Sequence, residues 1–341
     1  MRSDQYLTMD PGDESVAALC RRILLFQPRR HFTEPVKIGM DSKVMQISMG
    51  AWSFTFGPHA ASPKSLDKIC ERLSKAGYDG IELCGFPPHV TLEAYPSVGE
   101  RAQLRRILSD SGLGVSSYSA DLTSVNPLVA ENHVRYLELF RRLLDLCASI
   151  GSPSIRIDTV AAPGSLSDSE YHQAFHRLAD LWRECADLGR QAQVAVVWEF
   201  EPGFVFNKPS EVVALHDRVG HPWFQLVFDT AHAYLCSVVG ARQQGRKETL
   251  EGGVVEFLDL LRGRIGSVHV VDTDGTLYSD ETSTHRPFHA GIIPWRVVMP
   301  KLLAVCPLDW WCIDLSFYPQ AWEAVESSLA DLKKMIAAAQ G

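Results

Sequence analysis

The sequence lacks any apolar run approaching the ~20 residues that cross a bilayer, has no Cys-x-x-Cys pair, and carries no excess of positive charge. The first absence excludes a helical membrane span. The opening stretch MRSDQYLTMDPGDESVAALCRRILLF mixes acidic residues with one short apolar piece, which does not make a secretory leader. The eight cysteines, at 20, 70, 84, 147, 185, 236, 306 and 312, fall mostly inside helix or strand patterns. They read as buried reduced thiols, and the expectation is a cytoplasmic protein. Lys plus Arg number 33 against 41 Asp plus Glu, a formal charge of -8. A nucleic-acid partner is not expected, because phosphate contacts need clustered cations. No G-x-G-x-x-G follows the first strand pattern, so a dinucleotide fold lacks its fingerprint.

What is present is a large core and a regular alternation. Of the 341 residues 46% are hydrophobic and 22% charged, which excludes disorder for most of the chain. Residues 1–43 stand apart as an N-terminal extension, mixing charge, Pro and Gly with one helical piece at 15–26. Over 44–341, strand-like runs alternate with runs of 3.6-residue period. The strands are expected at 45–56, 80–86, 114–120, 154–160, 194–200, 224–228, 265–271 and 310–315. Helices are expected to start near Ser65, Gly99, Pro127, Ser167, Pro209, Leu250 and Pro294, with a last one over 320–339; Ser and Pro suit helix N-termini. Eight strands alternating with eight helices imply parallel pairing by right-handed crossovers. A closed (β/α)8 TIM barrel fits better than an open doubly wound sheet. Long insertions follow strands six (236–248) and seven (272–290), on the face where such barrels carry their sites.

Polar residues at the strand ends carry the chemistry. Strand five, VAVVWEFEPG, offers Glu199 and then Glu201; strand six, FQLVFDTAHA, offers Asp229 and then His232. Strand seven, IGSVHVVDTDG, offers His269 and then Asp272; strand eight, WWCIDLSF, offers Asp314. Side chains alternate faces along a strand, so Glu199, Asp229, His269 and Asp314 can enter the barrel mouth at comparable height. Three carboxylates and one imidazole make a hard, oxygen-rich set that suits Mn²⁺ or Mg²⁺ ahead of Zn²⁺ or Co²⁺. Taken singly, each would read as a solvated loop acid, a helix cap or a structural histidine; on consecutive strands they read as one site.

These residues resemble the xylose isomerase-like barrels, which include sugar phosphate isomerases and epimerases, ketose 3-epimerases, inosose dehydratase and apurinic endonuclease. The likeness runs from about Val44 to the end. It is carried by GYDGIEL at 77–83, Glu-x-x-Pro at 199–202, Asp-x-x-His at 229–232, His-x-x-Asp at 269–272 and the strand-eight acid. The resemblance implies that Glu199, Asp229, His269 and Asp314 hold a divalent metal and that His232 serves the substrate. It also matches Glu82, at the end of strand two, to a common family acid that either binds a sugar hydroxyl or buttresses the barrel. Two positions depart from the family. Its strand-eight ligand is usually Glu where this chain has Asp314, and its G-x-G turn before the last helix is replaced by His289-Ala290-Gly291. A shorter acid can hold metal yet fall short of a substrate carbon, which counts against epimerisation by two opposed bases.

The expected catalytic residues are Glu199, Asp314 and His232, with Glu82, His89, Arg156, Asp158, His232, Asp272 and Arg286 on the substrate. His89 either reaches the site or caps a loop. Arg156 and Asp158 either pair with each other or meet sugar hydroxyls. His285 and Arg286 lie in the loop after strand seven, where a cation could grip a phosphate or carboxylate. Trp52, Phe54, Phe204 and Phe206 could form an apolar wall against a sugar ring or an aglycone. The reaction implied is proton abstraction beside a carbonyl through a metal-stabilised enediolate. The alternatives are β-elimination from a 3-oxo-glycoside, as in the metal-barrel subunit of C-glycoside deglycosidases, and a phosphodiesterase like apurinic endonuclease. A non-catalytic sugar-binding barrel is a further class, against which the intact ligand set argues. The partners implied are a small carbohydrate or glycoside and either a second copy of the chain or a small subunit.

Overall fold

The computed structural model describes residues 45–341. The extension at 1–43 and its helical piece, with Cys20, lie outside the described residues. Eight parallel strands close into a barrel: β1 (Gln46–Gly50), β2 (Gly80–Cys84), β3 (Gly114–Ser119), β4 (Ser154–Ile157), β5 (Ala195–Glu199), β6 (Phe224–Asp229), β7 (Ile265–Val270) and β10 (Trp310–Ile313). β1 pairs with both β2 and β10, which seals the cylinder. The remaining two strands, β8 (Leu277–Tyr278) and β9 (Thr282–Ser283), form a small antiparallel hairpin in the loop after β7. The chain is a (β/α)8 TIM barrel, and none of its described helices is long and apolar enough to cross a membrane.

The helices begin where local chemistry lets them. α1 (Leu66–Ala76) starts after Ser65 and stops at Gly77, whose φ of 84° suits a residue without Cβ. α2 (Val98–Asp110) and α4 (Asp168–Ala192) open on reciprocal capping boxes, Ser97 with Glu100 and Ser167 with Glu170. α5 (Pro209–Val219) has Pro at its first position. α3 (His133–Ile150) starts six residues later than expected. The Asn126 side chain accepts from the Leu128 N–H at 2.9 Å and turns the chain at Pro127, so the helix waits for the next favourable start.

Two other expectations are corrected. The first strand ends at Gly50, and residues 51–54 form a 3-10 turn rather than more strand. Alternation of apolar residues continued through Phe54, but β1 runs out of ladder partners beyond the β2 and β10 registers. The stretch after β6 is not a plain insertion. It begins with α6 (Thr230–Tyr234) and a π-helical turn, Leu235–Val239, before the irregular segment. α7 (Gly253–Leu260), α8 (Trp295–Val305) and α9 (Val325–Gln340) complete the ring. The core lies between helices and barrel wall: Trp182 sits 5.2 Å from Trp198 and 5.6 Å from Phe224, and Phe200 packs on Phe228 and Phe257. Truncating any of these fully buried rings would cost about 3–5 kcal/mol. All seven described cysteines are buried and unpaired.

Candidate active site at the barrel mouth

β6 ends on Asp229, and its two oxygens are used differently. Oδ1 accepts from the His232 backbone N–H at 2.8 Å and caps α6. Oδ2 is buried and has no hydrogen-bond partner. Strand register sets Asp229 beside His269, and His269 beside Cys312. Glu199, at the end of β5, completes a group whose donor atoms lie within 4.8 Å of one another: Glu199, Asp229 and His269. His269 Nδ1 and Glu199 Oε1 are 2.8 Å apart, yet neither makes an aligned hydrogen bond. Asp229 Oδ2 has no partner beside the Glu199–His269 pair, and the three ligand atoms converge as a shared cation would require. The residues fit a hard divalent cation.

Supporting groups fix these donors. Glu82 takes the other ring nitrogen, His269 Nε2, at 3.1 Å, so Nδ1 is turned to the site. Arg156 reaches Glu199 through Nε, and its terminal nitrogens stand 3.6 Å from Asp158 and 3.8 Å from Glu201. Burial opposes the charge on Glu199, but the Arg156 guanidinium and His269 hold its carboxyl well below the usual range. Burial raises Asp158 to about 6, with Arg156 pulling the other way. Burial likewise opposes a charged His269, while Glu82 and Glu199 drive its pKa well above the ordinary value.

Asp314 follows the last residue of β10, two residues beyond Cys312, the partner of His269. Its Oδ1 accepts from Trp52 Nε1 at 2.9 Å, from the Ser316 N–H at 2.8 Å and from Ser316 Oγ at 2.6 Å. His285 Nδ1 is 3.3 Å from the same oxygen, and Asp314 Oδ2 is 3.8 Å from His269 Nδ1. Asp314 is thus held at the edge of the cage rather than in the tight group. Burial works against a charged His285, yet Asp314 and Asp229 raise its imidazole to about 9. Asp229, His232 and His285 form a second cluster within 4.8 Å. His232 Nδ1 is tied to Ser283 Oγ at 2.9 Å, which leaves Nε2 facing Glu201 at 4.0 Å.

Trp52, Arg156, Asp158, Glu199, Glu201, His232, His285 and Asp314 line one cavity of about 450 Å³, whereas Asp229 and His269 are fully buried and are not part of its lining. Four expected substrate contacts do not line it. Glu82 is buried beneath the cage and buttresses His269. His89 is buried and bonded to the Lys64 carbonyl at 2.8 Å, so it caps a loop. Asp272 accepts from the N–H groups of Thr273, His289 and Ile293 and from Trp295 Nε1, which saturates it inside the loop before α8. Arg286 is forked onto Asp274 Oδ2 at 2.7 and 3.1 Å, away from the cavity. Of the expected aromatic wall, Trp52 and Phe204 line the cavity. Phe54 packs on Trp322, and Phe206 on Tyr171 and Phe175. His289 takes a φ of 68° with its side chain exposed, so the turn survives without its glycine.

Sequence reasoning missed Ser283, Thr282 and Arg242, which reach the site from the β8–β9 hairpin and the segment after the π turn. It also missed Phe56, Phe86 and Phe317. Their signal was weak because they sit in loops, where pleat and helix period are lost.

The sequence pattern of the xylose isomerase-like TIM barrel family matches residues 70–313. Among curated proteins nothing matches significantly. A D-tagatose 3-epimerase-like protein superposes with a TM-score of 0.66 at 16% identity, covering 87% of this chain and 100% of that one. A 3-keto-D-glucoside 4-epimerase from E. coli gives 0.63 at 16%, covering 85% and 100%. An IolI protein with a bound zinc atom gives 0.62 at 18%, covering 86% and 98%.

Proposed function

The chain belongs to the xylose isomerase-like TIM barrel family, and on that premise we propose that it is a divalent-metal-dependent enzyme of the isomerase and epimerase type that moves a proton beside a carbonyl of a sugar. The observation that carries this reading is the convergence of Glu199, Asp229 and His269, whose donor atoms lie within 4.8 Å of one another, with Glu199 also lining the cavity. The neighbours' names, a tagatose epimerase-like protein and a keto-glucoside epimerase, support the substrate class, and the zinc-bound neighbour supports a metal. Mn²⁺ or Mg²⁺ suits the carboxylate-rich set best.

Glu199, Asp229 and His269 would hold the cation, with Asp314 at the open edge. When bound, the cation supplies positive charge against which a substrate oxygen can become negative as the neighbouring C–H ionises. The protein's own groups do the rest. Arg156 fixes the Glu199 carboxylate in one orientation. His232, pinned at Nδ1 by Ser283, presents Nε2 to the cavity and is placed to hold or return a proton. Asp314 is gripped at Oδ1 by Trp52 and Ser316, so it cannot swing towards a substrate carbon.

That grip favours a second reading, elimination of a β-substituent from an oxo-glycoside, because proton chemistry is then served from one face only. The two separate in deuterium oxide with the metal-loaded protein and a panel of ketoses, inososes and 3-oxo-glycosides. Isomerisation or epimerisation puts deuterium into a recovered sugar, whereas elimination yields an unsaturated product and a released group. No exchange and no product with any of them overturns both. A phosphodiesterase is disfavoured because five carboxylates, Asp158, Glu199, Glu201, Glu281 and Asp314, line the cavity against two arginines, and Arg156 is already paired with three of them.

A further inference from the structure

The polar floor accounts for only part of the cavity. Its volume is about 450 Å³, whereas one monosaccharide at protein packing density fills on the order of 200 Å³. The remaining wall is apolar and aromatic. Phe56, Phe86, Phe204 and Phe317 line it, each only half-buried. They come from four different loops, after β1, β2, β5 and β10. Loop tips at a water-filled mouth are ordinarily polar, whereas here Phe86, Phe56 and Phe317 form a chain of ring contacts and Phe204 lies on the same cavity lining, an apolar surface that wants a cover.

The collar is held in place rather than merely exposed. Phe56 meets Phe86 edge-on at 5.3 Å and Phe317 in a stacked pose at 6.4 Å. Phe317 lies on Tyr278 of the β8–β9 hairpin at 4.5 Å with 13° between the planes. Phe317 keeps a φ of 61°, a region that a bulky residue occupies only when its surroundings impose it. Gly57, next to Phe56, has no Cβ to strike Phe317 at 2.7 Å and the Tyr278 hydroxyl at 2.9 Å. By contrast, among the described residues no cationic side chain is stacked on the collar rings: of the cations lining the cavity, Arg156 is paired with the carboxylates of Glu199, Asp158 and Glu201, His285 stands 3.3 Å from Asp314, and Arg242 Nη1 donates to the Gly203 and Glu281 carbonyls.

We infer that the Phe56–Phe86–Phe204–Phe317 collar is a second subsite that takes a flat aromatic ring joined to the sugar, so that the substrate is an uncharged aryl glycoside with an oxo group on its sugar ring, and not a free ketose or a sugar phosphate. The inference rests on the sugar reading above for what fills the floor. Offset and edge-on contacts with collar rings are the geometries in which aromatic pairs attract beyond area alone.

Binding to the full-length, metal-loaded protein tests this by calorimetry with 4-nitrophenyl glucoside, galactoside and xyloside, each against its methyl counterpart, and with glucose 6-phosphate. At least one aryl glycoside is expected to bind tenfold or more tightly than its methyl partner, with the phosphate ester weakest. Phe317→Ala and, separately, Phe86→Ser should cut that aryl-to-methyl ratio to below threefold while circular dichroism and metal content stay at wild-type levels. Two substitutions at independent loops guard against one of them misfolding. Equal affinity for aryl and methyl forms, tighter binding of the phosphate ester, no binding of any aryl glycoside, or a ratio untouched by both variants overturns the subsite. Failure of the sugar chemistry shows up elsewhere, as absence of deuterium exchange and of elimination product, and leaves the binding ratio to stand or fall alone.

Discussion

Asp229 divides its labour between two oxygens, and the division is testable. Asp229→Asn keeps an oxygen for the cap of α6 but removes the charge from the cage, while Asp229→Ala removes both. We expect the wild type to hold about one divalent cation per chain. The Asn variant should lose at least tenfold in metal affinity with little change in Tm, and the Ala variant should in addition lose about 1 kcal/mol of stability. Full metal occupancy in both, by elemental analysis, would mean the cage is elsewhere. His285 gives a pH signature. Its folded pKa, about 9, lies above the ordinary 6.5, so in the metal-free protein it contributes stability that is complete below pH 6.5 and lost as pH rises through 9. Chelator-treated protein should therefore melt lower at pH 9.5 than at pH 6.5, and His285→Gln should flatten that interval. An equal slope in both proteins removes His285 from the account. The four strand-end residues could be read from sequence because each follows a strand of clear pleat. The partners that hold them could not. Trp52 meets Asp314 across 262 residues of chain and Glu82 meets His269 across 187, pairings that only barrel closure creates.

At the scale of elements, the loop between β7 and α8 is organised by a single carboxylate. Asp272 accepts four hydrogen bonds, from the Thr273, His289 and Ile293 N–H groups and from Trp295 Nε1 at 2.9 Å. Gly291 makes room for it, since a Cβ there would collide with the Asp272 carboxylate and the Thr273 carbonyl. Asp272→Ala leaves those donors without an acceptor and should cost about 3 kcal/mol, a sum of several unsatisfied groups offset by water entry. The expected outcome is a clear fall in Tm with KM unchanged for whatever folded fraction remains. An unchanged Tm with a raised KM would return Asp272 to the substrate. The sequence placed Asp272 near the site because it follows His269 by three residues, but the chain turns inward at that point and the side chain points into its own loop. The same limit explains α3 and the first strand. Apolar period marks where an element can form, whereas Asn126 and the end of the β1 ladder decide where it does.

The described residues form a barrel whose first strand is paired on both sides by other described strands. β1 reaches both neighbours, the Gln46 N–H donates to the Asp309 carbonyl at 2.8 Å, and the Ile47 N–H donates to Asp79 at 2.8 Å, so the first strand is satisfied on both edges by described residues. The Tyr78 hydroxyl donates to the Val325 carbonyl at 2.9 Å, and the Arg72 side chain donates to the Trp322 carbonyl at 3.3 Å. These two contacts tie α1 and the turn after it to the start of α9 and fasten the last helix across the seam. Among the described residues the eight-stranded barrel has no open sheet edge. We therefore expect a chain of residues 44–341 to fold, to hold its metal and to exchange the substrate proton at the wild-type rate, with Tm within a few degrees. Sedimentation, elemental analysis and deuterium exchange on that truncated protein check the three parts separately. Aggregation or metal loss in the truncated chain would make residues 1–43 part of the catalytic domain. Loss of proton exchange alone, with metal and Tm intact, would instead assign the extension to the substrate side, because Glu199, Asp229 and His269, and the Glu82 and Arg156 that fix them, all belong to barrel strands.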